Sequence, residues 1–131
     1  MAILTESRHP GEFIASEANG TLSREVGILK NNQALTDGTV LEKDVTGDLV
    51  AATGDLDTND EVVNEVVGIL VGNHDTTANG PDGNVDKPGV VYIARDAEVK
   101  DALLVYPAES TAGGEKAATV ASLAKLHIIP R

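Results

Sequence analysis

The sequence predicts a mainly β domain with one C-terminal α-helix, an α+β arrangement, and three observations lead to this fold class. Short runs rich in valine, isoleucine and leucine recur between turn residues at intervals of about ten residues, as in small sandwiches and barrels. An apolar run at residues 90–94 begins directly after Pro88-Gly89. An alanine-rich stretch after Pro107 has the spacing of a helix. We therefore expect a small, compact β-sandwich or barrel-like domain.

Residues 90–99 are expected to form the central strand. Their first five residues are apolar and partly β-branched, which is typical of a strand buried on both faces. Arg95, Asp96 and Glu98 follow, so the strand is expected to leave the core at its end.

The other elements follow from the same patterns. Residues 62–67 also fit a helix face, but their β-branching favours a strand. A helix is predicted from about residue 114 to residue 126, capped by Ser110 or Thr111. Its packing face is predicted to consist of Ala117, Val120, Ala121 and Ala124. Further strands are predicted at residues 26–29, 39–41, 49–52, 62–71 and 128–129, and an apolar run at residues 103–106 ends at Pro107.

Composition limits the classes of function. The 131 residues suffice for one domain, and with Phe13, Tyr92 and Tyr106 as its aromatic residues the core is aliphatic, so it benefits from burial between subunits. A net charge of −11 opposes binding to nucleic acid or to an anionic membrane. The absence of cysteine excludes disulfides and thiolate sites. Without a signal peptide or a membrane-spanning run, we expect a soluble protein made without export.

Residues 1–24 are interpreted as an N-terminal arm, separate from a β-rich domain at residues 25–131. Residues 12–17 read as an extended segment that carries the chain's phenylalanine. One interpretation is that the arm adds a strand to a partner's sheet, anchored by Phe13 or Ile14. The alternative is a first strand docked on its own domain. The arm interpretation predicts that deleting residues 1–17 leaves a folded body.

Two acidic loops resemble calcium-binding loops only in part. Asp55, Asp57 and Asn59 alternate as calcium ligands do, but Asp60 stands where the loop needs glycine and Val66 where it needs glutamate. In residues 82–86 the acidic and amide side chains alternate in the same way, and the required glycine and glutamate are again missing. Residues 42–61 contain seven carboxylates and one lysine, so this stretch is expected to face solvent, and no metal site is predicted.

No catalytic constellation is visible. His9, His74 and His127 have no spacing that links them to a nucleophile or to a second metal ligand. Asp96 and Glu98 are the remaining candidates, as a carboxylate pair on one side of a strand. Such acids at a strand end are usually solvated, so the sequence predicts no enzyme and no cofactor.

Several segments form a pattern when they are taken in their order along the chain. They are residues 11–14, 16–20, 23–25, 38–41, 68–70 and 95–99, the Leu104 and Pro107 pair, the alanine-rich helix, and Ile128-Ile129 with Arg131. This series covers most of the chain from Gly11 onward and resembles the head decoration proteins of tailed bacteriophages, the lambda D-like family. His127 stands where the family tends to have glycine after the helix, and residues 72–87 form an unusually long acidic loop.

The resemblance implies a trimeric, β-rich cement protein on the outer surface of the expanded phage head, at three-fold and quasi-three-fold positions. It implies the major capsid protein and further copies of this chain as partners, with neither nucleic acid nor membrane, in a virion protein made in the host cytoplasm. The attachment element it implies is the arm, at Gly11, Glu12, Phe13, Ile14, Ala15, Ser16 and Glu17. Two other classes stay open: a calcium- or carbohydrate-binding β module, and a trimeric hydrolase using Asp96 and Glu98.

Overall fold

The computed structural model describes residues 3, 5–6, 8–19 and 21–131. The predicted arm therefore lies partly outside the described residues, at residues 1, 2, 4, 7 and 20. Within the described part of the chain, the strands are β1 (Ile14–Glu17), β2 (Arg24–Leu29), β3 (Ala34–Leu35), β4 (Val40–Lys43), β5 (Leu49–Ala51), β6 (Val66–Leu70), β7 (His74–Asp75), β8 (Lys87–Ile93), β9 (Ala97–Val99) and β10 (Ile128–Pro130). A 3-10 helix spans Asp101–Leu103 and the α-helix, α1, spans Glu115–Lys125. The predicted mainly β fold with a C-terminal helix is confirmed.

Five strands close into a barrel in the order β2-β5-β4-β6-β8. Because side chains alternate across a strand, neighbouring residues of β4 and β6 belong to two different apolar clusters. Leu41 and Leu70 lie in the first cluster, which takes its buried members from the barrel strands and Ala94 and therefore fills the barrel. Its other buried members are Leu29, Leu49, Val90 and Tyr92.

The second cluster lies outside the barrel wall. Val40 and Ile69, the neighbours of Leu41 and Leu70, pack there against the helix and against a three-stranded sheet in the order β1-β9-β10. In that sheet β9 runs antiparallel to β1 and parallel to β10. The other buried members of this second cluster are Phe13, Val66, Ile93, Ala97, Val99, Leu104, Leu123 and Ile128. The fold thus has one wall with an apolar core on both faces.

The predicted central strand at residues 90–99 is two strands in two sheets. Residues up to Ile93 belong to the barrel as β8, and residues from Ala97 belong to the three-stranded sheet as β9. Asp96 stands between them with φ 52°, which turns the chain. The expected burial on both faces is confirmed for β8, since Tyr92 lies in one cluster and Ile93 in the other.

The predicted packing face of α1 is wrong. Ala117, Ala121 and Ala124 are exposed and Val120 is half-buried. The helix instead buries Leu123 together with polar side chains, which find partners in the interior: Thr119 Oγ1 donates to the Glu115 carbonyl oxygen at 2.7 Å, and Ser122 Oγ accepts from the Val66 N–H at 3.1 Å. Hydrogen bonds remove the penalty of burying such groups, so apolar spacing alone selected the wrong side of the helix.

Two smaller predictions also differ from the structure. Residues 62–65, the first part of the predicted strand at 62–71, precede β6, and Val62 makes only an isolated bridge with Leu56. The apolar run at residues 103–106 forms the end of a 3-10 helix and a bridge at Val105. Glu42, in the stretch expected to face solvent, is only 4% exposed. Its carboxylate accepts long hydrogen bonds from Thr53 N–H at 3.2 Å and from Asn64 Nδ2 at 3.4 Å.

A side chain at Gly68 is incompatible with the barrel. A Cβ there would overlap the carbonyl oxygen of Ile93 and lie 2.7 Å from Tyr92 Cδ2. Gly68→Ala is therefore expected to lower the free energy of unfolding by about 3 kcal/mol or more, at the upper end of overpacking costs. Gly47→Ala is the control, because its Cβ meets no heavy atom within 4 Å and adds only left-handed backbone strain. Denaturant unfolding measures the loss in the free energy of unfolding for each variant. Equal losses would show that the barrel can adjust to a side chain at Gly68.

Candidate functional site

The candidate attachment segment, residues 11–17, lies at one side of the three-stranded sheet. β1 pairs with β9 in antiparallel register, with Ile14 opposite Val99 and Glu17 opposite Ala97. The register shifts between Ile14 and Ser16, and Ala15 and Ser16 are exposed. Since β1 is the last strand in the sheet order, its outer edge has no strand beside it among the described residues.

Phe13 places this segment in the protein's own core. Its side chain is 0% exposed and belongs to the cluster outside the barrel wall, and its carbonyl oxygen accepts a hydrogen bond from Lys100 N–H at 2.7 Å. The expectation that residues 1–24 lie outside the globular core is therefore wrong for residues 13–17. The alternative, a first strand docked on its own domain, is confirmed. Burial of an aromatic ring in a neighbouring aliphatic core is more favourable in free energy than its exposure to solvent.

Asp37 fixes the beginning of the segment. Its carboxylate oxygen Oδ1 accepts from the N–H groups of Gly11 at 2.9 Å and of Gly72 at 2.7 Å. Arg8 Nη2 lies 3.9 Å from the other oxygen, Oδ2, and donates to the carbonyl oxygen of Leu103 at 2.9 Å. One buried carboxylate thus joins the N-terminal segment to the turn that follows β6.

Ser23 and Arg24 fix the end of the segment. Ser23 Oγ is buried, accepts from Ala18 N–H at 2.8 Å and donates to the carbonyl oxygen of Asp96 at 2.9 Å. Arg24 donates to both carboxylate oxygens of Glu17, at 2.8 Å and 3.0 Å. These charged hydrogen bonds hold the pKa of Glu17 below its ordinary value of 4.5.

Acid is expected to weaken this end of the segment. Because the pKa of Glu17 is lowered in the folded protein, its contribution to stability is present above the ordinary value and is lost as the pH falls through the lowered one. Glu17→Gln is therefore expected to lose less thermal stability than the unmodified protein between about pH 5 and about pH 3. Glu61→Gln, at an exposed position, controls for the loss of one negative charge. Parallel pH curves for the protein and Glu17→Gln would contradict this.

The carboxylates considered for catalysis do not form a pair. Asp96 lies in a turn and its Oδ1 is 3.3 Å from His127 Nδ1, whereas Glu98 lies in β9 and accepts from Arg131 Nη2 at 2.9 Å. His127 follows the end of α1 with φ 58°, the left-handed conformation for which glycine is usual after a helix. The helix therefore closes in the ordinary way despite the histidine.

The acidic loops show local structure rather than a shared site. Asp57 Oδ1 accepts from the N–H groups of Asn59 and Glu61, at 2.8 Å and 3.1 Å, so it folds its own turn. Within the described ranges, no three histidine or acidic side chains are grouped as metal ligands. In the same part of the chain, no helix has the length and apolar character to cross a membrane.

Comparison with known proteins identifies the family. The family model described as bacteriophage lambda head decoration protein D matches residues 3–128 of the chain. The chain belongs to this family. No curated protein and no solved structure gives a significant match. As a lambda D family member, the protein is a structural component associated with the phage head, and its family is not one of enzymes.

Sequence reasoning missed two residues, Asp37 and Ser23, that fix the position of the candidate attachment segment in this decoration protein. Asp37 lies in no segment that the sequence analysis singles out, and Ser23 lies only within the family-like segment at residues 23–25. Their partners, Gly11 and Asp96, lie 26 and 73 positions away, so no local pattern indicates the contacts.

Proposed function

We propose that this decoration protein binds as a homotrimer to the outer surface of the expanded head, at three-fold and quasi-three-fold positions. There it contacts the major capsid protein and stabilises the head against the pressure of packaged DNA. The observation that carries the proposal is the family match over residues 3–128, nearly the whole chain. Heating DNA-filled heads with and without the protein tests the stabilising role. DNA release at a higher temperature with the protein supports it, and an unchanged release temperature contradicts it.

Attachment in this proposal uses residues 11–17 through the outer edge of β1. An edge strand offers backbone groups to which a strand of the capsid protein can add. Because these residues are already ordered on the body, binding does not incur the backbone entropy, about 1–2 kcal/mol per residue, that a free arm would lose. Three such edges on one trimer raise the avidity further, by about 10² to 10⁴.

Exposed side chains of β1 allow the attachment site to be tested without disturbing the core. Ala15→Arg places a long charged side chain on the exposed part of β1. We propose that it weakens decoration of expanded heads by about tenfold or more while the melting temperature stays unchanged. Val45→Arg, at a fully exposed apolar position in the loop between β4 and β5, is the matched control. Equal decoration by both variants would remove β1 from the attachment site.

Self-association in this proposal uses the outer face of β2. Val26 is 66% exposed and Ile28 is 45% exposed, and Val91 lies opposite Val26 on β8. The helix and the three-stranded sheet pack on the outer side of β4, β6 and β8, and their cluster does not include Val26 or Ile28 of β2. Adjacent exposed apolar side chains of this kind mark contacts between proteins.

Val26→Asp is therefore expected to shift the protein from trimer to monomer at micromolar concentration. A charge on this face would have to be desolvated in the contact, which is costly without a partner. Sedimentation equilibrium measures the change. Val45→Asp, an equally apolar side chain that is fully exposed in a loop, should leave the trimer unchanged. A trimer that persists in Val26→Asp would place the contact on another face.

A further inference from the structure

We propose that Asp37 is the positioning residue of the attachment segment: it holds residues 8–11 in the docked place from which β1 meets the capsid. Its side chain is 5% exposed. It is bound to two N–H groups that are separated from it by 26 and 35 positions in the chain. This inference rests on the proposed attachment through residues 11–17.

The two donors converge on one oxygen because of their backbone conformations. Gly11 has φ 81° and Gly72 has φ 86°, both in the left-handed region that favours glycine. Their N–H groups reach Asp37 Oδ1 at 2.9 Å and 2.7 Å. A carboxylate accepts such bonds more strongly than a neutral amide does. The charge of Asp37 therefore contributes to both contacts.

The second carboxylate oxygen of Asp37, Oδ2, attracts the guanidinium group of Arg8. Asp37 Oδ2 is buried and has no hydrogen-bond partner among the described residues, and Arg8 Nη2 lies 3.9 Å away. This separation is too long for a hydrogen bond but leaves a charge–charge attraction. Arg8 also donates to the Leu103 carbonyl oxygen at 2.9 Å, and Arg8, His9 and Pro10 are exposed. Asp37 is thus the buried group that binds this stretch to the body.

These contacts lie outside the two apolar clusters of the body, and the bond from Gly72 N–H also joins Asp37 to the turn that follows β6. Asp37 belongs to neither apolar cluster, and the bonds it accepts come from Gly11 and Gly72. Phe13 stays buried by apolar packing that does not involve the carboxylate. Loss of the charge is therefore expected to open residues 8–11 locally, as chain ends with few buried contacts do, while the barrel stays closed.

Attachment to the capsid then depends on the fraction of molecules in which residues 8–11 are docked on the body. If the capsid recognises β1 with the docked stretch before it, the apparent affinity falls in proportion to the docked fraction. Asp37→Asn keeps the shape and one acceptor oxygen but removes the charge. Asn73→Ala is the matched control, because Asn73 Oδ1 accepts from Asp37 N–H at 2.8 Å and does not touch the N-terminal segment.

Amide hydrogen exchange on the free protein tests the docking. In Asp37→Asn, the Gly11 amide is expected to exchange about tenfold faster or more, since charged hydrogen bonds are the stronger ones. The amides of Ala52 and Ala94, which bond to the Val40 and Ser23 carbonyl oxygens in the body, should exchange as before. Asn73→Ala should leave the Gly11 amide unchanged. Decoration of expanded heads by Asp37→Asn should weaken by about threefold or more, while the unfolding transition stays cooperative at a melting temperature slightly lowered by the weaker bond from Gly72.

Each other outcome overturns the inference. Unchanged exchange at Gly11 in both Asp37→Asn and Asp37→Ala would show that the carboxylate does not hold the segment. Faster exchange at Gly11, Ala52 and Ala94 together would make Asp37 a residue of general stability. Faster exchange at Gly11 with undiminished decoration would separate docking from attachment. If the unmodified protein does not bind heads at all, the proposed function fails, whereas the exchange measurement still decides whether Asp37 holds the segment.

Discussion

Phe13→Ala is expected to lower the free energy of unfolding by about 3–5 kcal/mol, the range for removing a buried aromatic ring. The side chain is fully buried among aliphatic residues from β9, β10 and the barrel wall, so its removal leaves a cavity. Denaturant unfolding monitored by circular dichroism measures the loss.

Ile3→Ala is the matched control for Phe13→Ala. Ile3 lies in the same N-terminal region but is 89% exposed, so its removal should cost little. The sequence interpretation of Phe13 as an anchor in a partner's pocket leads to the opposite expectation, unchanged stability with weaker capsid binding. A loss below about 1 kcal/mol for Phe13→Ala would therefore restore that interpretation.

Deletion of residues 1–17 is expected to abolish cooperative folding or to leave a protein with a greatly lowered melting temperature. The deletion removes Phe13 from its cluster, β1 from the edge of β9 and Glu17 from Arg24. Each loss exposes apolar surface or unpaired groups of the body. This expectation replaces the one drawn from the sequence, which was a folded body after the same cut.

Deletion of residues 1–7 is the control for the longer cut. The contacts that join the segment to the body through Asp37 begin at Arg8, and the described residues before it, Ile3, Thr5 and Glu6, are exposed. Thermal unfolding should show a cooperative transition for the shorter deletion and a lost or strongly lowered one for the longer. A cooperative transition close to that of the full chain after removal of residues 1–17 would show that Phe13 is dispensable for the core.

The strands and the helix were predictable because their signals are local. Residues 26–29, 39–41, 49–52 and 128–129 were expected as strands, and β2, β4, β5 and β10 lie there. The helix was expected within one residue of its observed start and end. Apolar and β-branched runs between turn residues carry this information without any knowledge of distant contacts.

The positions of these elements against one another were not predictable in the same way. The face of α1 depends on Thr119 and Ser122, whose burial is possible only because partners lie nearby, in the helix backbone and in β6. The division of residues 90–99 depends on a left-handed residue, Asp96, and not on a change in hydropathy. Both features are decided by tertiary contacts, which override local preferences.

In the candidate site, too, the local segment was predictable from the sequence and its contacts with the rest of the fold were not. The segment at residues 11–17 can be singled out from its sequence, and the family match over residues 3–128 agrees with the family resemblance of the sequence. Its docking on the body was one of two open interpretations, because an isolated Phe13 between turn residues gives no sign of where its ring is buried. Asp37 acts through contacts with Gly11 and Gly72, which only the folded chain brings together.

Imaging of expanded phage heads that lack a decoration protein, after incubation with this protein, tests the proposed function most directly. We expect added density on the outer surface at the three-fold and quasi-three-fold positions, with three copies at each and with the edge of β1 facing the capsid protein. Ala15→Arg should leave the same heads largely bare under identical conditions. Heads that stay bare with the unmodified protein at saturating concentration would contradict the account.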